Sequence, residues 1–135
     1  KKSGAKAAVG GEPVGGDGYF YKPTILVDTK PDMSVMREEI FGPVVTATPF
    51  DDLDDIARTA NDTIYGLAAS IWKKDISKAH KMAAKIKAGT VWINCYNVFD
   101  PCMPFGGFKQ SGWGREMGSD VLDLYTEKKS VCVQL

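Results

Sequence analysis

At 135 residues with 44% hydrophobic side chains, the chain has the length of one domain and enough apolar material for a sizeable core, which excludes a disordered polymer. Its 17 basic and 17 acidic residues cancel, so no net positive field exists to hold nucleic acid or an anionic membrane surface.

In chain order, Lys6 to Val9 and Tyr19 to Val27 read as short strands separated by the glycine-rich stretch Gly10 to Gly18, a hairpin-like start. Met33 to Glu39 is a short element ended by Gly42-Pro43, and the β-branched run from Val44 to Phe50 predicts a strand. Leu53, Ile56, Ala57 and Ala60 recur at helical spacing behind Asp51, Asp52, Asp54 and Asp55, acidic residues that suit a helix N-terminus. Leu67 to Trp72 is apolar and short. Asp75 then caps a helix whose Ile76, Ala79, Ala83 and Ile86 share a face, and Gly89 stops it.

Thr90 to Cys95 reads as a strand buried on both faces, as parallel strands between helices are. The alternation predicts an α/β layer with a largely parallel sheet and right-handed crossovers. Tyr96 to Trp113 is a long loop punctuated by Pro101, Pro104, Gly106, Gly107 and Gly112, and its aromatic residues argue for order. A last helix is predicted from about Arg115, with Met117, Val121 and Leu124 on one face, and Ser130 to Leu135 alternates into a final strand. Trp72 and Trp92 are assigned to the core. His80, near the apolar face of its helix, receives no role.

Cys95, Cys102 and Cys132 form no CxxC pair, and one histidine offers them no partner set, so a structural zinc site is not expected. That unpaired usage fits a reducing, intracellular compartment. No apolar run approaches the roughly 18 residues of a membrane-spanning helix, and no secretory signal pattern stands at the start, so a soluble chain is expected. The opening Lys1-Lys2-Ser3-Gly4, with turn signals before any complete element, suggests a part excised from a longer protein.

Glu38-Glu39-Ile40-Phe41-Gly42-Pro43-Val44 resembles, residue for residue, a signature of the aldehyde dehydrogenases. It is followed at family-like intervals by Asn61 to Leu67, Gly89 to Asn94, Pro104 to Gly112 and Gly114-Arg115-Glu116. The resemblance runs from about Gly10 to the C-terminus and matches the last quarter of such an enzyme. The Asn94-Cys95-Tyr96 segment is similar to the tetrameric, broad-specificity branch.

The resemblance implies the C-terminal part of the catalytic domain over residues 1–125 and an oligomerisation strand over residues 126–135. It also implies NAD as cofactor, with NADP as the alternative, an aldehyde as substrate, a cytoplasmic homotetramer or dimer, and no nucleic-acid or membrane partner. In the family a cysteine thiolate attacks the aldehyde and a glutamate activates water. None of the three cysteines here sits in the family's nucleophile context, so no catalytic residue is assigned. Glu39 is implied to accept hydrogen bonds from the nicotinamide ribose, and Phe41 to pack beside that end of the cofactor. The loop from Asn97 to Phe105 corresponds to the family's substrate tunnel, so Phe99 and Phe105 are implied to face the aldehyde's tail. Asp100, Pro101, Cys102 and Met103 between them are the expected seat of substrate choice. The glycines of Pro104 to Gly112 read as architectural, and Arg115 with Glu116 is implied to lock the loop to the last helix.

Overall fold

The structure is a computed structural model that describes residues 4–135; Lys1 to Ser3, and with them most of the opening tetrapeptide, lie outside the described residues. The chain separates into two compact units, one ending at Thr59 and the other running from Ala60 to Leu135.

The first unit is built on a three-stranded sheet of order β1-β2-β3, with β1 at Lys6–Val9, β2 at Thr24–Val27 and β3 at Val44–Thr46. β1 pairs antiparallel with β2, as the glycine-rich connection predicts, and β3 pairs parallel to β2. The strand expected from Tyr19 is shorter because Pro23 has no N–H to give the ladder. The hairpin continues beyond it in irregular form, with Val14 N–H donating to the Phe20 carbonyl and Lys22 N–H to the Glu12 carbonyl. β3 likewise ends well before Phe50. Helix α1, Ser34–Arg37, connects β2 to β3, and Met33 before it is buried. Helix α2, Leu53–Asn61, begins where the Asp52 carboxylate accepts the backbone N–H groups of Asp54 and Asp55, which would otherwise be unsatisfied.

The second unit has two parallel strands, β4 at Ala68–Ile71 and β5 at Thr90–Ile93, joined through helix α3 at Ile76–Lys85. Asp75 caps α3 as predicted by accepting the Lys78 N–H at 3.1 Å, and that bond holds its carboxyl below the usual carboxylate range. Ala79, 1% exposed, is the buried contact of this helix, whereas Ile76 in the first turn and His80 remain exposed. Asn61 closes the far end of the helix: its amide nitrogen donates to the Lys85 carbonyl and its oxygen accepts the Lys87 N–H.

Several expectations need correction. β5 is not buried on both faces; Trp92 alone of its residues is buried and the others are half-buried. Trp72 is 68% exposed, because it stands past Ile71, the last paired residue of β4. The last helix, α4, starts at Asp120 and ends at Tyr125. Met117 and Gly118 both take left-handed backbone conformations, which no right-handed helix can include, so Arg115, Glu116 and Met117 precede the helix. Val121 is half-buried and Leu124 is 54% exposed. Ser130 to Leu135 carries no strand here, its backbone groups pairing with neither sheet of this chain.

The core is thinner than composition implies. Ala5, Leu26, Met33, Ala57, Ala79 and Trp92 are the buried hydrophobic residues among those described, while Tyr19, Phe41, Trp113 and Leu135 are each more than nine-tenths exposed.

Candidate functional site

In the first unit the candidate residues lie on the connection between α1 and β3. Gly42 N–H donates to the Ile40 carbonyl at 2.7 Å and Val44 N–H to the Gly42 carbonyl at 2.8 Å, two successive tight turns that fold residues 40–44 sharply. The Pro43 carbonyl accepts the Thr24 N–H at 2.8 Å, which fastens this turn to β2. Phe41 is held out from it with 93% of its surface exposed. Glu39 is exposed, and among the described residues no hydrogen bond or ion pair engages its carboxylate. An acceptor-only group with free lone pairs, two residues along the chain from a bare aromatic ring, has the chemistry to take sugar hydroxyls while the ring covers a flat group.

In the second unit the candidate residues belong to an aromatic lattice. Trp92, fixed in β5 opposite Ser70 of β4, meets Tyr96 edge to face at 5.4 Å and Phe99 at 5.6 Å. Phe99 in turn meets Phe105 at 5.1 Å and 84°. The Trp92 indole N–H donates to the Val98 carbonyl at 2.7 Å. The structure therefore brings Phe99 and Phe105 together, ring to ring. Only Phe105 lines the cleft of about 440 Å³ beside it, whose walls include Leu67, Trp113, Arg115 and Leu124.

The segments that carry the sequence resemblance interlock here. The Gly66 carbonyl accepts from both Gly89 N–H and Phe108 N–H, and Gly66 N–H donates to Ser111 Oγ. Gly89 has a physical necessity, since a Cβ there would overlap the Gly106 carbonyl oxygen. Lys109 Nζ donates to the carbonyls of Asn61 and Thr63, drawing two distant motifs together. Arg115 donates to the carbonyls of Gly107 and Gly114 and stacks over the Phe108 ring at 5.3 Å. Glu116 exchanges backbone hydrogen bonds with Phe105, both at 2.7 Å. The pair thus ties the loop to itself, not to α4 as the sequence suggested.

Sequence reasoning missed two features. Trp92 reads as plain core, yet it organises the aromatic loop. Asn94 reads as a motif letter, yet its amide clasps the backbone N–H and C=O of Lys73 while its own backbone is left-handed. Asparagine is the residue type, after glycine, that best tolerates that conformation, and this was the available signal. Among the described residues no group of three or more His, Cys, Asp or Glu side chains is placed to hold a metal ion.

Residues 1–131 match the family described as the aldehyde dehydrogenase family. The chain belongs to this family. The aldehyde dehydrogenase of Agaricus bisporus is 50% identical over 135 residues, covering all of this chain and 27% of that protein. The NAD+ complex of an aldehyde dehydrogenase from Bacillus cereus superposes with a TM-score of 0.92 at 53% identity, covering 99% of this chain and 27% of that one. Betaine aldehyde dehydrogenase of Staphylococcus aureus, solved with NAD+, gives a TM-score of 0.86 at 44% identity over 92% of this chain and 25% of its own. The chain spans about a quarter of the length of these aldehyde dehydrogenases. Its mixed α/β fold with parallel strand pairs is the fold of the corresponding part of its neighbours.

Proposed function

We propose that this chain furnishes part of the active-site wall of an NAD-dependent aldehyde dehydrogenase that oxidises aldehydes to carboxylic acids. Glu39 and Phe41 meet the nicotinamide-ribose end of the cofactor, and Phe99 and Phe105 line the passage for the aldehyde's apolar tail. The observation that carries the reading is the pairing of an unengaged Glu39 carboxylate with a fully presented Phe41 ring on a turn fastened to β2. The residues present fit the group: a carboxylate accepts two sugar hydroxyls, and NAD rather than NADP agrees with the NAD+ held by the solved relatives. When bound, the dinucleotide supplies the hydride acceptor.

This chain's own residues orient and exclude water. Phe99 and Phe105 form an apolar edge that favours an aldehyde's tail over solvent. Cys95, Cys102 and Cys132 are free thiols, and none of them sits in the sequence context of the family's nucleophile. Nucleophile and general base come from elsewhere in the complete polypeptide, so the 135 residues alone turn over no aldehyde. Residues 1–125 serve as the C-terminal part of the catalytic domain. Residues 126–135, with Val131, Val133 and Leu135 exposed at alternating positions, serve as a strand for a neighbouring subunit in a homotetramer or dimer. A cytoplasmic location without nucleic-acid or membrane partners belongs to the same reading; the formal net charge is zero, and among the described residues no helix is long and apolar enough to cross a membrane.

Glu39→Gln in the complete enzyme tests the assignment. Replacing a charged acceptor by a neutral one is expected to weaken cofactor binding by at most about 1.5 to 3 kcal/mol with aldehyde binding little changed. Unchanged cofactor KM and unchanged kcat would refute the role of Glu39.

A further inference from the structure

We propose that Trp92 is a positioning residue that sets aldehyde selectivity by holding Phe99, a role that rests on reading Phe99 and Phe105 as the lining of the aldehyde passage. Trp92 does not itself line the cleft beside Phe105. It is 7% exposed and locked into β5, whose register with β4 runs unbroken over all four of its residues. From that fixed base it grips the loop twice. Its indole N–H donates to the Val98 carbonyl at 2.7 Å, and its ring meets Tyr96 and Phe99 edge to face.

The rest of the loop shows why this grip matters. Before it, Ser70 Oγ donates to the Cys95 carbonyl; after it, Cys102 N–H and Met103 N–H donate back to Asp100, and Gly118 N–H donates to the Pro101 carbonyl. Between those anchors, over Tyr96 to Phe99, the indole N–H makes the one hydrogen bond to the backbone among the described residues. Asn97, in the middle, is left-handed, so the chain reverses there without a ladder to support it. Phe105 is fixed independently by its paired backbone bonds with Glu116. The spacing between the two phenylalanines therefore depends on Trp92, and a tryptophan is required because only an indole offers this ring with a donor at that edge.

The test deletes the donor and keeps the ring. In the complete enzyme, Trp92 is replaced by its benzothiophene isostere, in which sulfur stands for the indole N–H. Trp92→Phe, which also removes the donor, serves as the second variant. The ratio of kcat/KM for phenylacetaldehyde over acetaldehyde is expected to change by about two- to tenfold, the span of one hydrogen bond, with the change in aldehyde KM and not in kcat or cofactor KM. On a Phe99→Ala background the same replacement is expected to change the ratio no further. An unaltered ratio in both Trp92 variants, where Phe99→Ala alone shifts it, overturns the role of Trp92 and leaves the passage intact. Equal shifts with and without Phe99 overturn the route through Phe99. No shift on Phe99→Ala itself overturns the passage reading, and this inference with it.

Discussion

The two units present their candidate residues in opposite ways. On the first, Glu39 and Phe41 ride on a turn whose backbone is fastened to the sheet while their side chains touch almost nothing. On the second, Phe99 and Phe105 are packed against each other, and Phe99 against Trp92, so this chain alone defines their geometry. A side chain buried among its neighbours, as Trp92 is, is felt in stability when it is removed, whereas one held out for a ligand is felt in binding; Phe99, packed on one side and 45% exposed, stands between the two. The glycines divide the same way. Gly89 is hemmed in by the Gly106 carbonyl, but a Cβ on Gly42 would meet open space and its backbone is not left-handed.

The sharpest break of this comparison is Trp92→Ala against Phe41→Ala in the complete protein. The first removes the buried hub and is expected to cost about 3 to 5 kcal/mol, read as a lowered thermal midpoint. The second removes a bare ring and is expected to change stability by no more than about 0.5 kcal/mol. Similar losses from both would show that the rest of the polypeptide packs Phe41 as firmly as this chain packs Trp92.

How much of this was legible in the sequence follows the same division. The parallel strand pairs, the Asp75 cap and the start of α2 were readable because local patterning decides them. The order of the aromatic loop was readable too, from its ring content. The exposure of Trp72, the late start of α4 and the missing final strand were not. Trp72 stands beyond the last β4–β5 pair, left-handed backbone at Met117 and Gly118 delays α4, and Ser130 to Leu135 pairs with neither sheet. The roles of Glu39 and Phe41 come from the motif's resemblance, since an exposed carboxylate and an exposed ring look the same on any surface turn.

A second contrast uses the glycines. Gly89→Ala is expected to destabilise by about 1 to 3 kcal/mol because the methyl group must displace backbone. Gly42→Ala should leave the melting temperature nearly unchanged and act, if anywhere, on cofactor KM. Loss of stability at Gly42 equal to that at Gly89 would contradict the view that the first unit's turn is kept open for a ligand.

The smallest effect concerns Asp75. Its carboxyl is lowered from the ordinary value of 3.8 chiefly by the Lys78 N–H, so the folded state favours the ionised form. Its contribution is present above that value and is lost as pH falls through the lowered folded one. Asp75→Asn, which keeps a cap without the charge, should melt slightly below the parent near neutral pH, with the gap closing in acid. A gap that widened on acidification would reverse the assignment.

Relative aldehyde specificity of Phe99→Ala and Phe105→Ala in the complete enzyme tests most directly whether this aromatic wall faces substrate. If it does, phenylacetaldehyde against acetaldehyde should shift by about 1 to 3 kcal/mol of transition-state discrimination, with cofactor KM unchanged and only a modest drop in melting temperature. A stability loss of about 3 to 5 kcal/mol with relative specificity unaltered would show that the two rings are structural core and face no substrate.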